Sequence, residues 1–189
     1  MKTRSEQDLL NSARAFDTQS LAEIYDCYSP GLYAYAMRLL GDACLAEDCV
    51  SETFSRFLKA LHARQGPEMH LQAYLYRIAH NWITDHYRRV PVFDLDEELR
   101  AGDEVGPEVQ VDQRLQQERV RGALRLLTPD QRQVVILRFL EGWDNEEVAT
   151  AVQKPSSAVR ALQHRALASL RRWLLGTEKE DGYGYEPGN

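Results

Sequence analysis

Between Lys154 and Trp173 the chain carries Lys154, Arg160, Arg165, Arg171 and Arg172 and neither Asp nor Glu. Such groups break no bonds. They donate hydrogen bonds, and their matching acceptors are phosphate oxygens and the major-groove edge of guanine. A second concentration runs from His70 to Arg89, where Tyr74, Tyr76, Trp82 and Tyr87 are interleaved with Arg77, His80, Asn81, His86, Arg88 and Arg89. Rings that stack on unpaired bases beside cations that neutralise phosphates suit a single strand, and an Asn amide can pair with the edge of an extruded base. By contrast, His62, His70, His80, His86 and His164 are not grouped with carboxylates in any metal or nuclease spacing. Cys27, Cys44 and Cys49 are odd in number and match no metal ribbon, so they read as reduced thiols of a cytoplasmic protein. No catalytic residue, metal or cofactor is expected.

The elements that must position these groups are helical. Glycine (11) and proline (7) are too few in 189 residues for a loop-rich β fold. Leu21, Ile24, Tyr25 and Tyr28 recur at helical spacing, Pro30-Gly31 is expected to interrupt, and Leu32, Tyr35, Ala36, Leu39 and Leu40 resume. Cys49, Thr53, Phe54, Phe57 and Leu61 mark the buried face of a helix over about 45–61, with Glu47, Asp48, Glu52, Arg56 and Lys59 opposite. On the next helix Leu75, Ile78, Trp82 and Tyr74 read as core. That leaves Tyr76, Arg77, His80, Asn81, Arg88 and Arg89 for the surface, with a base pocket between the 62–69 loop, which contains Arg64, and Asn81.

In the second half Leu115, Val120, Ala123, Leu124 and Leu127 form a stripe. Thr128 and Pro129 then start a helix bearing Val134, Val135, Leu137, Arg138 and Leu140, which Gly142 stops. Asp144 with Glu147 reads as a capping box, and Trp143 as its staple, for a short helix over 145–152. Gln153-Lys154-Pro155 is the turn, and Ser156 the expected cap of a last helix. Ala149 is small where the two helices approach, and Val152 and Val159 fill the wedge between them. This is a helix-turn-helix pattern, which lays its second helix in the major groove. Ser157, Arg160, Ala161 and His164 are the candidates over base edges; Lys154, Arg165, Arg171 and Arg172 suit phosphates. An ordinary helical hairpin with a solvated basic face has the same generic pattern.

Net charge is −6, which taken alone argues against nucleic acid, but the charge is segregated. Residues 90–112 hold Asp94, Asp96, Glu97, Glu98, Asp103, Glu104, Glu108 and Asp112 against the single base Arg100. The expected fold is all-α: a first domain over 1–90, an acidic linker over 91–112, a second domain over 113–176 with the helix-turn-helix, and a disordered tail over 177–189. No run approaches the ~18 apolar residues of a membrane span, and the polar start carries no signal peptide.

Two blocks carry a specific resemblance. AEDCVSETFSRFLKAL (46–61) and LQAYLYRIAHNWITDHYRR (71–89) resemble the second region of extracytoplasmic-function (ECF) RNA polymerase sigma factors. LLTPDQRQVVILRFLEGWDNEEVATAV (126–152) and PSSAVRALQHRALASLRRWL (155–174) resemble the fourth. The resemblance implies a sigma factor that directs core RNA polymerase to promoters. Asp48, Glu52 and Arg56 fall on the helix that docks the coiled coil of the polymerase's largest subunit, and the polymerase flap is a further implied contact. Arg64, Tyr76, Arg77, His80, Asn81, Arg88 and Arg89 fall where the family melts and captures the −10 element. Lys154, Ser156, Ser157, Arg160, Ala161, His164 and Arg165 fall where it reads the −35 element. The acidic linker falls where the family threads the active-site cleft and RNA exit channel. An anti-sigma partner is implied as the family's common control. The chain departs from the pattern at Leu162, where many relatives have a second Arg, and in a turn without glycine.

Three other readings compete. A helix-turn-helix regulator with a sensory first half needs a ligand or phosphoacceptor pocket, and the first half has no alternating β/α pattern. A nucleic-acid enzyme needs clustered His and carboxylates. A polymerase-binding inhibitor does not need a basic recognition helix.

Overall fold

The computed structural model describes residues 5–89 and 119–174. The acidic linker at 91–112 and the tail at 177–189 lie outside the described residues. Helices α1 (Glu6–Arg14), α2 (Thr18–Leu40), α3 (Ala43–His62) and α4 (Leu71–Arg89) form a first lobe. Helices α5 (residues 119–125), α6 (Pro129–Val135), α7 (Asn145–Val152) and α8 (Ser156–Leu174) form a second. No strand occurs among the described residues, in agreement with the all-α expectation.

Side-chain caps start several of these helices. Ser5 accepts from the Asp8 amide at 3.1 Å, Asp17 from Ser20 at 2.9 Å, and Asp42 from Leu45 at 2.7 Å. Thr128 with Gln131, and Asp144 with Glu147, close reciprocal capping boxes. Pro155, not Ser156, stands at the cap of α8: its carbonyl accepts from Ala158 at 2.8 Å and Val159 at 3.1 Å, and Ser156 is the first helical residue.

Pro30-Gly31 does not interrupt α2, which runs unbroken past both residues. Pro30 is exposed, and the core side chains Ile24, Leu32, Tyr35, Ala36 and Leu39 hold the helix on either side of the missing N–H. Gly31 is required for another reason: a Cβ there would stand 2.7 Å from the hydroxyl of Tyr76 on α4.

The first core is built by Leu10, Ile24, Leu32, Tyr35, Phe57, Leu71, Leu75 and Ile83, and the α3 stripe from Cys49 to Leu61 is buried as the periodicity predicts. Burial pushes the Cys49 thiol up to about 12, so it packs as a small apolar group. The second core comprises Leu124, Leu127, Val134, Ile136, Leu137, Val148, Ala151, Val159, Leu162 and Ala166. Two residues expected in it, Val120 and Leu140, are exposed. For Leu140 the reason is local. The chain widens into a π turn over Ile136–Leu140, with the Glu141 amide donating to Ile136 O at 3.0 Å, and the extra residue rotates Phe139 and Leu140 to the surface. Gly142 then stops the helix with φ +76°, as its position suggests.

Asp144→Ala should lower the unfolding free energy by about 1 kcal/mol through loss of the cap. Phe57→Ala should lower it by about 3–5 kcal/mol through loss of core volume. Urea titration followed by circular dichroism measures both, and similar losses would contradict this division between cap and core.

Candidate nucleic-acid interface

The turn between α7 and α8 is made by Gln153, which adopts φ 53°, ψ 43° where glycine is more usual, and the Lys154 amide returns to Ala149 O at 3.1 Å. Val159 and Leu162 face inward while Ser157, Arg160, Ala161, His164 and Arg165 are exposed at helical spacing on one face. The Arg160 and Arg165 Nε groups donate weakly back to Ser156 O and Ala161 O at 3.4 and 3.3 Å, leaving the guanidinium ends for a partner. Ser156 is half-buried at the helix start, and Lys154 is tied to Asp130 at 3.1 Å. The departure at Leu162 has a structural reason: its side chain is buried in the second core, so a base-reading residue does not fit there.

Helix α4 divides its candidates between two faces. Arg77, Asn81, Arg88 and Arg89 lie on the outer side, with Asn81, Arg88 and Arg89 exposed. Arg77 lies over the Tyr74 ring at 5.1 Å, and Arg88 reaches Asp85 at 3.4 Å. Tyr76 and His80 are not on the surface. They are 3% and 7% exposed, against the reading that placed them with Asn81. The physical reason is a shared stripe: residues 73, 76, 80, 83 and 87 repeat at three and four, and α2 and the second lobe supply polar partners along it. The Tyr35 hydroxyl meets His80 Nδ1 at 2.9 Å, and the Tyr76 hydroxyl donates to Glu141 Oε2 at 3.2 Å. Burial, then the Glu141 charge, raises the Tyr76 phenol above its ordinary range.

The loop over 63–70 is organised by α1, a contribution the sequence reading missed. Gln7 donates to Glu68 O at 2.9 Å, Arg14 to Pro67 O at 2.7 Å, and Glu6 accepts from the Leu71 amide at 3.0 Å. Arg64 and His70 both take positive φ, 55° and 57°, and both are exposed. A cavity of about 180 Å³ opens nearby, between Glu6, His70, Gln72 and Ala73 on one side and Trp143, Glu147 and Thr150 on the other. It does not include Asn81. On α3, Asp48, Glu52 and Arg56 lie together on the outward face, and Arg56 donates to Glu52 at 2.8 Å, holding that carboxyl below its usual range.

Comparison with known proteins agrees with this arrangement. Residues 24–90 match Sigma-70 region 2, and residues 117–170 match Sigma-70 region 4. The chain is 33% identical over 171 residues to the ECF RNA polymerase sigma factor BldN of Streptomyces coelicolor, covering 88% of this chain and 65% of that protein. It is 30% identical over 169 residues to the ECF sigma factor SigD of Mycobacterium tuberculosis, covering 84% and 79%.

The chain belongs to the ECF sigma factor family.

Two solved structures share the fold. CnrH, in complex with the cytosolic domain of CnrY, superposes with a TM-score of 0.67 at 22% identity, covering 92% of this chain and 98% of that one. The Bartonella quintana sigma factor RpoE, in a co-crystal with the anti-sigma factor NepR, has a TM-score of 0.56 at 21% identity, covering 84% and 98%. In this sigma factor the described residues contain no group of three potential metal ligands, and no described helix is long and apolar enough to cross a membrane.

His80 gives region 2 a measurable pH signature. Burial pushes its imidazole down to about 4; Asp130 opposes the shift and Arg132 adds to it. The unfolded chain therefore takes up this proton first as pH falls. The stabilising contribution is complete above 6.5 and is lost progressively between 6.5 and about 4. The loss amounts to at most ~3 kcal/mol over that window. Urea midpoints measured across it should fall in the wild type and flatten in His80→Gln; parallel slopes would remove His80 as the cause.

Proposed function

We propose that this chain binds core RNA polymerase, directs it to specific promoters, and carries out no chemistry of its own. The observation that carries this reading is the presence of both sigma regions in order, the second ending in a helix-turn-helix whose second helix bears bases and no acids. The domains are those of the sequence reading: region 2 within 1–90, region 4 within 113–176, and an acidic tether over 91–112 between them. The site of action is the cytoplasm, where the polymerase is. The BldN and SigD relatives bear the same family name, which supports the assignment.

Each group of residues takes a role consistent with its position. Asp48, Glu52 and Arg56 meet basic groups on the largest-subunit coiled coil and fix its orientation, while region 4 meets the flap. Arg64, Arg77, Asn81, Arg88 and Arg89 engage the −10 element, the amide of Asn81 pairing with an unstacked base. Tyr76 and His80 join them only when the second lobe moves off α4. Ser157, Arg160, Ala161 and His164 address −35 base edges, and Lys154, Ser156 and Arg165 the adjoining backbone. An anti-sigma protein that holds both regions completes the proposal as the means of control.

In vitro transcription on a fragment library tests the reading: start sites should appear that require both core polymerase and this chain. Tight, ligand-dependent binding to duplex without polymerase would favour the sensory regulator instead. Arg160→Ala should cost ~1–3 kcal/mol of base discrimination, a loss of roughly five- to 150-fold at promoters carrying the preferred −35 sequence, with polymerase binding unchanged. Asn81→Ala should impair strand opening and spare duplex contacts. Loss of core binding in both variants would mean that these roles are misassigned.

A further inference from the structure

Residues 63–70 connect α3 to α4, and their backbone is not one that their own sequence favours. Arg64 and His70 both lie in the left-handed region, at φ 55° and 57°. A non-glycine residue is strained there and stays only where its surroundings hold it. The loop's local bonds gather at its first end, where the Arg64 and Gln65 amides donate to Leu61 O and Ala60 O at 3.0 and 2.9 Å. Gly66 closes on the same helix, since a Cβ there would stand 2.7 Å from the Leu61 side chain.

The second end is held by α1. Arg14 donates to Pro67 O at 2.7 Å and Gln7 to Glu68 O at 2.9 Å. Glu6 Oε1 accepts from the Leu71 amide at 3.0 Å. Leu71 is the first residue of α4, so no carbonyl of that helix can reach its N–H, and the Glu6 carboxylate also meets the positive end of the helix dipole. The other oxygen of Glu6 accepts from the Tyr28 hydroxyl of α2 at 2.9 Å, which anchors the carboxylate in turn. Just beyond α1, Phe16 sets its ring edge-on to His62, the residue before the loop, with centroids 6.0 Å apart. All the hydrogen bonds from α1 to the loop go to main-chain groups. The loop's side chains Arg64, Gln65, Glu68, Met69 and His70 are left exposed.

We propose that Gln7 and Arg14 are positioning residues for base capture: by fixing the carbonyls of Glu68 and Pro67 they preset the loop that receives an unpaired base of the −10 strand. The inference rests on the promoter-directing reading. A loop held in its binding conformation spares the strand the cost of ordering it. Once released, only a fraction of molecules carries the competent loop, and apparent affinity for the captured base falls by that fraction. Phosphate contacts made elsewhere on the lobe do not depend on the loop and are retained.

The test uses the full chain with core polymerase. Fluorescent single strands carry the −10 segment of a promoter recovered from the fragment library, each base in turn replaced by an abasic residue. In the wild type one position should show a loss of affinity of roughly tenfold when its base is removed. Gln7→Leu combined with Arg14→Met removes both donors and should shrink that ratio severalfold. The ratio cancels the change of charge at residue 14, which weakens both strands alike. Each single variant should give a smaller effect, and Arg14→Lys, which keeps a donor, should restore most of the ratio. In the free chain, NMR order parameters of amides 64–70 should fall in the double variant while helicity by circular dichroism is kept. A wild type indifferent to every abasic substitution, a ratio unchanged in the double variant, or loop order parameters equal to the wild type would each overturn the proposal. Failure of the promoter reading appears separately, as absence of polymerase-dependent start sites with the wild-type chain, and the order parameters then still report whether α1 fixes the loop.

Discussion

Burial of Leu75, Ala79 and Ile83 against α2 and α3 sets the rotation of α4, and that rotation decides what the rest of the molecule can present. With this stripe inward, Arg77, Asn81 and Arg88 necessarily fall on the outside, while Tyr76, His80 and Tyr87 fall on a flank between core and solvent. A flank of phenols and an imidazole is costly to bury without partners and imperfectly satisfied by water alone. Here Tyr35, Leu39 O and Glu141 supply the partners: the Tyr87 hydroxyl donates to the Leu39 carbonyl, Tyr35 meets His80, and Glu141 accepts from Tyr76.

The second lobe reaches this flank by means of a backbone device. The π turn at Ile136–Leu140 and the positive φ of Gly142 turn the chain so that Glu141 and Trp143 project towards α4, while the Asp144 box restarts the helix at once. Arg138 braces the turn by donating to the Trp143 carbonyl. The recognition helix α8 takes no part in these contacts. Its basic face remains outward, consistent with duplex contacts that do not depend on whether the lobes are together.

α1 plays a supporting role out of proportion to its length. Through Glu6, Gln7 and Arg14 it satisfies backbone groups of the 63–70 loop and the first amide of α4, and Glu6 also accepts from Tyr28 at 2.9 Å. The 63–70 loop is thus shaped by side chains distant in sequence. Nothing in the spacing of residues 5–14 announces that task.

By itself the sequence determined the all-helical class, the order of the main helices and the caps at Thr128 and Asp144, because these follow from local periodicity and from side-chain oxygens a few residues from the amides they cap. It also determined the outward face of α8 and of α3, since a helix with one clear apolar stripe has a single way to lie on a core. The family was legible for the same reason: its two blocks are contiguous in the chain. The unbroken course of α2 through Pro30, the inward turn of Leu140's neighbours at Glu141 and Trp143, and the burial of Tyr76 and His80 were settled only by tertiary structure. Amphipathic side chains such as tyrosine and histidine are stable in water or in a hydrogen-bonded interior, and the choice depends on whether a partner from elsewhere in the chain arrives within reach. Glu141 lies 65 residues beyond Tyr76, and no local pattern connects them.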